Sequence, residues 1–206
     1  YGGHVIDPAN RVDGKLNLLI EDGKIAWVGT GMPDADEKIN ATGKIVTPGF
    51  IDIHMHEDPV VDGKIAPDIF NSMLRMGVTT ATGGNCGINV WDPVEYLALV
   101  DKQGAPVNMV MLAGHEYFRK AAGAEDIYAE ATEAQKRAME GAIRTALENG
   151  CAGVSFGLRY VPGADKDEFF RAAACCTRDK KIIASHVRDD ADAVFDAIDE
   201  FCAAGV

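Results

Sequence analysis

The chain has 206 residues, of which 47% are hydrophobic and 25% are charged, so it can bury the core of one large domain or slightly more. Its formal net charge of −12 argues against nucleic acid or an anionic membrane as a partner, because both require a basic face. No apolar stretch reaches the roughly 18 residues that span a bilayer. The five cysteines include an adjacent pair that suits disulfides poorly, which favours a reducing, cytoplasmic compartment.

Short strands are predicted throughout residues 1–48. Strands at 16–20 and 24–28 flank Asp22-Gly23, a strong signal for a two-residue hairpin turn. A further short strand is expected at 44–46. Together these segments predict a small N-terminal β module.

From residue 49 onward, strand-like and helix-like runs alternate, which is the pattern of βα units and a parallel sheet, hence an α/β fold. The predicted strands are 50–54, 78–82, 107–113, 151–156 and 182–186. The predicted helices lie near 65–76, 92–103, 131–149, 165–179 and 190–204. A closed barrel needs eight such units and about 250 residues, and a five-stranded piece would leave two open edges. We therefore interpret 49–206 as the first five βα units of a (β/α)₈ barrel and expect the remainder to lie outside this sequence.

The first barrel strand is predicted to be buried and to end in His54-Met55-His56. Residues i and i+2 of a strand point to the same face, so the two histidines should lie side by side and hold one metal ion. A His-x-His pair alone is weak evidence. It gains weight here because further His and Cys residues follow the later strands.

Active-site residues of a parallel barrel lie at the carboxyl ends of its strands. Cys86 lies just beyond the second predicted strand, His115 follows the third and His186 ends the fifth. We predict His54, His56, Cys86 and His186 as metal ligands, although a free Cys is most often a buried small hydrophobe. A thiolate with imidazoles favours Zn²⁺ over Mg²⁺ or Ca²⁺. The remaining cysteines are predicted to pack in the core: Cys151, Cys175, Cys176 and Cys202.

Other polar side chains near the strand ends are candidates for contacting a small-molecule substrate. They are His115, Ser155, Tyr160 and Arg188. For Ser155 and Tyr160, the alternative is an ordinary strand end before a Pro-Gly turn, and Arg159 shares their segment. Arg188 could bind a substrate carboxylate through its planar fork or pair with Asp189 or Asp190.

A hydrolase with a metal-activated water also needs a group that accepts its proton. Glu57, Asp58 and Glu116 are candidates by position only. Asp58 could instead orient His56 or begin the following loop. The sequence therefore assigns no general base.

Five segments in this order resemble the amidohydrolase superfamily and, within it, the D-aminoacylases, which are N-acyl-D-amino-acid deacylases. The segments are 48–56, 83–87, 114–115, 155–160 and 185–189. The resemblance runs along the whole chain but covers only about the first half of such an enzyme. It implies deacylation of N-acyl-D-amino acids by a metal-dependent (β/α)₈ barrel with a β-sandwich built from both chain termini.

The resemblance also implies a division of the metal ligands. One zinc would be held tightly by the residues matching Cys86 and His186 and by a histidine on the next strand, beyond Val206. His54 and His56 would form a second, weaker position. The catalytic Asp of the family also lies beyond Val206, so this chain by itself is not expected to be a competent enzyme. A homo-oligomeric assembly is left open.

Some residues depart from the family pattern and keep other functions open. Phe156 stands where the family often has Ser, Asp190 where it usually has Glu, and Glu116 where it has a small residue. Residues 2–10 look more like dihydroorotase-type cyclic amidohydrolases, which use a carboxylated Lys at the end of strand 4, where this chain offers Ser155. A catalytically inactive, barrel-derived scaffold is the third hypothesis.

Overall fold

The computed structural model describes residues 1–177 and 180–205. They divide into two units, Tyr1–Gly49 and Phe50–Val206. The strands of the first unit are β1 (Gly3–Asp7), β2 (Val12–Glu21), β3 (Lys24–Gly29) and β4 (Ile45–Val46).

The first unit is built on one four-stranded sheet in the order β3-β2-β1-β4. β2 pairs antiparallel with β1 and β3, and β4 runs parallel to β1. The predicted hairpin is confirmed: Asp22 (φ 49°) and Gly23 (φ 72°) are both left-handed, as a tight two-residue turn requires. A sandwich needs a second facing sheet, so the predicted sandwich stays a prediction.

Among its described residues, the second unit contains a hairpin, a five-stranded sheet and six α-helices. The hairpin strands are β6 (Val60–Val61) and β7 (Lys64–Ile65). The sheet strands are β5 (Phe50–Asp52), β8 (Val78–Gly83), β9 (Asn108–Gly114), β10 (Gly153–Gly157) and β11 (Ile182–His186). The helices are α1 (Asp68–Arg75), α2 (Pro93–Gln103), α3 (His115–Ala121), α4 (Glu133–Glu148), α5 (Lys166–Thr177) and α6 (Val194–Ala203).

All neighbouring strands of the five-stranded sheet are parallel, in the order β11-β10-β9-β8-β5. Strand order thus follows chain order without the reversal of a doubly wound sheet, which is the arrangement found in barrels. The predicted βα alternation is confirmed. The sequence missed α3, a seven-residue helix that begins directly at the end of β9. The last two residues of the predicted helix 165–179 lie outside the described residues.

Local signals placed the longest helix, α4, correctly. Thr132 Oγ1 accepts a hydrogen bond from Gln135 N (3.3 Å), and Gln135 Oε1 accepts one from Thr132 N (2.8 Å). This reciprocal capping box satisfies two backbone donors that the first helical turn leaves free. The buried face of α4 includes Met139 and Ile143, which join the core between the helices and the sheet.

Burial in the second unit is uneven along the sheet. β10 is buried throughout, whereas Phe50 and Ile51 of β5 are 58% and 67% exposed. The prediction of a buried first strand is therefore wrong for this structure, because β5 is an edge strand with a neighbour on one side only. Cys202 is also exposed on α6, contrary to the predicted core position, while Cys151, Cys175 and Cys176 are buried. Among the described residues, no helix is long and apolar enough to cross a membrane.

Candidate metal centre

The His54-Met55-His56 segment lies beyond the end of β5, which stops at Asp52, so the histidines are not part of the strand. Met55 N donates to Thr82 O on β8 (3.0 Å), and the Met55 side chain is buried. The flanking histidines are exposed, with ring centroids 5.8 Å apart. The two histidines thus lie close together as predicted, and the buried Met55 between them fixes this segment to β8.

Cys86 occupies a tight turn after β8 in which three residues are left-handed: Gly84 (φ 73°), Cys86 (φ 57°) and Gly87 (φ 78°). A Cβ on Gly84 would lie 2.1 Å from Leu112 O, so only glycine fits there. A left-handed non-glycine residue costs on the order of 1–3 kcal/mol and persists only where its surroundings hold it. The turn places Cys86 Sγ 3.4 Å from His54 Nε2.

His54, His56 and Cys86 each offer one ligand atom, and these atoms lie within 4.8 Å of one another. Zinc bonds of about 2.0–2.3 Å in a tetrahedron require ligand atoms roughly 3.3–3.8 Å apart. A small closing movement of the histidine rings would therefore suffice for one ion. Burial raises the pKa of the Cys86 thiol, so metal binding would displace its proton. The donor set fits zinc.

His186 does not join this group among the residues that the structure describes. It lies at the end of β11, where its Nδ1 is 2.9 Å from the Tyr160 hydroxyl and its Nε2 is 3.1 Å from Asp190 Oδ2. The hydrogen bond between His186 and Asp190 is the main cause that lowers the pKa of the Asp190 carboxyl. Both ring nitrogens of His186 are thus engaged, and its predicted role as a ligand stays a prediction.

Ser155 has a different role from the predicted contact with substrate. Its side chain is fully buried; the hydroxyl donates to Gly84 O and accepts from Gly87 N (3.0 Å). Ser155 thus fastens both ends of the Cys86 turn to β10. Because its donor and one acceptor position are used and no face is exposed, the structure does not support direct substrate binding by Ser155.

His115 and Arg188 are also engaged within the protein. His115 is fully buried, and its Nε2 lies 2.8 Å from Glu168 Oε1 on α5. The same carboxylate oxygen accepts from Arg119 Nε (3.0 Å). Arg188 directs its fork at Glu200 (2.9 and 3.0 Å) rather than at Asp189 or Asp190. His115 is shielded from solvent and the Arg188 fork is held by Glu200, so a substrate contact by either residue stays a prediction.

Tyr160 is the most exposed of the predicted substrate-contacting residues. Its side chain is 43% exposed, and its ring centroid lies 4.7 Å from that of His186. The neighbouring Arg159 is also exposed, with Nε 3.5 Å from Asp190 Oδ1. A phenol hydroxyl and a guanidinium thus lie exposed in the segment that follows β10.

The three candidate general bases have other partners. Asp58 is fully buried and caps α1, accepting from Ile69 N (2.7 Å) and Phe70 N (2.9 Å). Glu116 pairs with Lys120 one helical turn away (2.6 Å). Glu57 is buried and accepts from a side-chain amide. Glu57 Oε2 has no partner among the described residues, but its carboxylate is shielded from solvent, so the proton-accepting role stays unassigned.

Two buried asparagines, one on either side of Cys86, were not predicted from the sequence. Asn85 Nδ2 donates to Thr82 O (2.7 Å) and lies 3.4 Å from Met55 O. Asn89 makes buried contacts on its own side of the turn. An amide in the tight Gly84-Asn85-Cys86-Gly87 segment could have indicated Asn85, since a buried amide is rarely without hydrogen-bond partners.

Comparisons with known proteins extend this picture. The sequence profile described as "Amidohydrolase family" matches residues 37–203. N-acyl-D-glutamate deacylase of Alcaligenes xylosoxydans xylosoxydans is 32% identical over 99% of this chain and 46% of its own length. D-aminoacylase of the same organism is 28% identical over 97% and 46%. Dihydroorotase of Syntrophotalea carbinolica is 56% identical, but over only 28% of this chain and 14% of its own length.

Solved structures give the same result. N-acyl-D-glutamate deacylase from Bordetella bronchiseptica, complexed with zinc and a phosphonate mimic of the tetrahedral intermediate, matches with a TM-score of 0.88 and 33% identity over 99% of this chain and 48% of that one. A D-aminoacylase structure matches with a TM-score of 0.87 and 27% identity over the same shares. The chain thus spans about half the length of the relatives it matches. Since the family profile covers most of its residues, the chain belongs to the amidohydrolase family.

Proposed function

We propose that this chain is part of a zinc-dependent amidohydrolase that deacylates N-acyl-D-amino acids. The observation that carries the proposal is the convergence of two imidazoles and one thiol at the carboxyl edge of a parallel sheet. The deacylases described above are similar to the chain along nearly all of its length. One of them binds zinc together with a mimic of a tetrahedral intermediate.

The proposed metal site uses His54, His56 and Cys86, and His186 completes the predicted set. We propose one tight zinc position that includes Cys86 and His186, and a second, weaker one at the two histidines of the His-x-His segment. Zinc, when bound, polarises the amide carbonyl and makes a water molecule nucleophilic at neutral pH. His186 can become a ligand only by exchanging one of its two present hydrogen bonds.

The chain itself would hold and orient the substrate. The product of deacylation is an amino acid, and its carboxylate calls for a cationic or hydroxyl partner. Arg159 and Tyr160 are exposed side by side next to His186, so we propose that they bind this carboxylate by exchanging their present contacts with Asp190 and His186. For the proton acceptor, we propose the aspartate that the resemblance places on a strand after Val206.

The architecture that this function needs is also a proposal. Residues 1–48 would contribute to a β-sandwich, and residues 49–206 would form the first five units of a (β/α)₈ barrel. Exposed apolar side chains on β5 support this arrangement, because further strands would cover that edge. A cytoplasmic location and a homo-oligomer remain predictions.

A cyclic amidohydrolase of the dihydroorotase type is the second candidate. The short, highly similar segment shared with dihydroorotase favours it. Against it, the end of β10 carries Ser155 where the resemblance implies a carboxylated Lys, and the Ser155 hydroxyl is engaged by the Cys86 turn. We therefore rank deacylation of an open-chain amide first.

A substrate panel on the full-length protein tests the proposal. Zinc content is measured first, followed by hydrolysis of N-acetyl-D-glutamate, N-acetyl-D-leucine, their L enantiomers, hydantoin and dihydroorotate. We expect zinc-dependent turnover of the D compounds, loss of activity after exhaustive chelation and recovery on adding zinc. Activity that survives chelation would refute the mechanism. Turnover of only the cyclic amides would favour the second candidate, and zinc binding without turnover would favour the inactive scaffold.

A further inference from the structure

We propose that Glu57 and Asn89 form a buried bridge that positions the two loops carrying the metal ligands. The inference rests on the metal site of the proposed function and assigns positioning residues to it. Neither residue would touch the metal or the substrate. Both would act through the ligands that they hold in place.

The bridge joins the two loops directly. Glu57 follows His56 in the chain, and Asn89 lies three residues after Cys86. Asn89 Nδ2 donates to Glu57 Oε1 (2.9 Å), and the two residues are 9% and 3% exposed. A hydrogen bond shielded from water in this way holds its partners more firmly than an exposed one. Its breakage would free both loops to move relative to each other.

Asn89 is in turn fixed to the end of β9. Its Oδ1 accepts from Gly114 N (2.7 Å), and its Nδ2 lies 3.2 Å from Leu112 O. The Asn89 side chain thus accepts one hydrogen bond from β9 through Oδ1, and its Nδ2 group donates both to β9 and to Glu57. Among the described residues, Glu57 Oε2 has no hydrogen-bond partner, so Asn89 is the group that orients this carboxylate.

The two glycines before Asn85 make room for the bridge. A Cβ on Gly83 would lie 2.8 Å from Glu57 Cγ, and a Cβ on Gly84 would lie 2.8 Å from Asn89 Nδ2. Both contacts are too short for a real side chain. Met109 Cε and Leu112 O come still closer to these two positions, so the segment that presents Cys86 is packed against β9 as well as against Glu57 and Asn89.

Reversing the hydrogen bond tests the bridge. Asn89→Asp keeps an acceptor for Gly114 N but loses the donor and places a carboxylate against Glu57. The double variant E57Q/N89D restores the hydrogen bond between the two residues in the opposite direction, while the bond to Leu112 O is absent from both variants. Asn108→Asp is the matched control, because this exposed residue lies at the other end of β9. Glu57→Ala, which keeps both Asn89 bonds to β9, is a second disrupting variant if Asn89→Asp does not fold.

Two readouts are measured on the full-length protein: the zinc dissociation constant by competition with a chromophoric chelator, and the thiolate-to-metal absorption band of the Co²⁺ form. We expect N89D and E57A each to weaken zinc binding about 10–100-fold, as loss of a residue supporting metal ligands does, and to change the Co²⁺ band. E57Q/N89D should recover most of the affinity, and N108D should match the parent.

The outcomes separate this proposal from the proposed function. If the parent binds zinc and N89D or E57A binds it equally well, the bridge is refuted while the metal site stands. If N89D is folded and E57Q/N89D is no better than N89D, the bridge is also refuted. If the parent binds no zinc, the metal site itself is wrong and the bridge falls with it.

Discussion

Replacing Ser155 by Ala removes the hydroxyl that links the Cys86 turn to β10. In the native protein, this hydroxyl donates to Gly84 O and accepts from Gly87 N (3.0 Å), in a fully buried position. Each hydrogen bond of this kind contributes about 0.5–1.5 kcal/mol to stability. Together they predict a loss of about 1–3 kcal/mol in the free energy of unfolding.

The same substitution should weaken metal binding more than substrate binding. Without the two anchors, the left-handed Cys86 backbone loses the contacts that hold it in a disfavoured region. We expect the Ser155→Ala variant of the full-length protein to bind zinc more weakly, while the KM of the zinc-saturated enzyme stays close to that of the parent. A residue that contacted substrate would show the opposite pattern.

Urea unfolding of the metal-free protein and chelator competition measure the two quantities. Ser72→Ala is the matched control, because the Ser72 hydroxyl donates only to Asp68 O within the exposed face of α1. It should change stability by less than about 0.5 kcal/mol. If S155A unfolds within about 0.5 kcal/mol of the parent, or shows a raised KM with unchanged zinc affinity, Ser155 does not hold the Cys86 turn.

Three further variants test other parts of the structure. Cys86→Ala should weaken zinc binding more than about 100-fold, measured by chelator competition, whereas removal of the exposed Cys202 thiol should leave it unchanged; equal losses would exclude Cys86 as a ligand. Glu168→Leu removes the carboxylate that balances the buried Arg119 charge and should cost about 3–5 kcal/mol in urea unfolding; a loss below about 1 kcal/mol would contradict this. Burial raises the pKa of Asp165, but hydrogen bonds, chiefly from Lys136, outweigh it and hold that pKa below its ordinary value. A lowered native pKa contributes stability that is present above the unfolded pKa and lost as pH falls through the native one. Asp165→Asn should therefore reduce the dependence of the free energy of unfolding on pH across the acidic range, measured by urea unfolding at several pH values. An unchanged pH dependence would contradict the lowered pKa of Asp165.

Local features of the sequence were sufficient to predict much of the fold. The Asp22-Gly23 turn and the Thr132–Gln135 capping box depend on neighbours within a few residues, and both are present. The βα alternation also follows from short-range patterns. His54 and His56 lie beyond the end of β5, so strand alternation does not explain their proximity. The family resemblance also predicts a class of activity, because several motifs in a fixed order are more specific than any one of them.

Long-range contacts decided the roles of individual side chains. His115 meets Glu168, which is 53 residues away, and Ser155 meets Gly84, which is 71 residues away. The sequence predicts that both residues contact substrate because both lie near strand ends, but such a position does not reveal which partner a side chain meets. The order of residues along the chain is enough to predict which residue types lie at the carboxyl edge of the sheet. It does not predict which of them face the site and which support it, because a buried polar group takes whatever partner the fold brings within hydrogen-bonding distance.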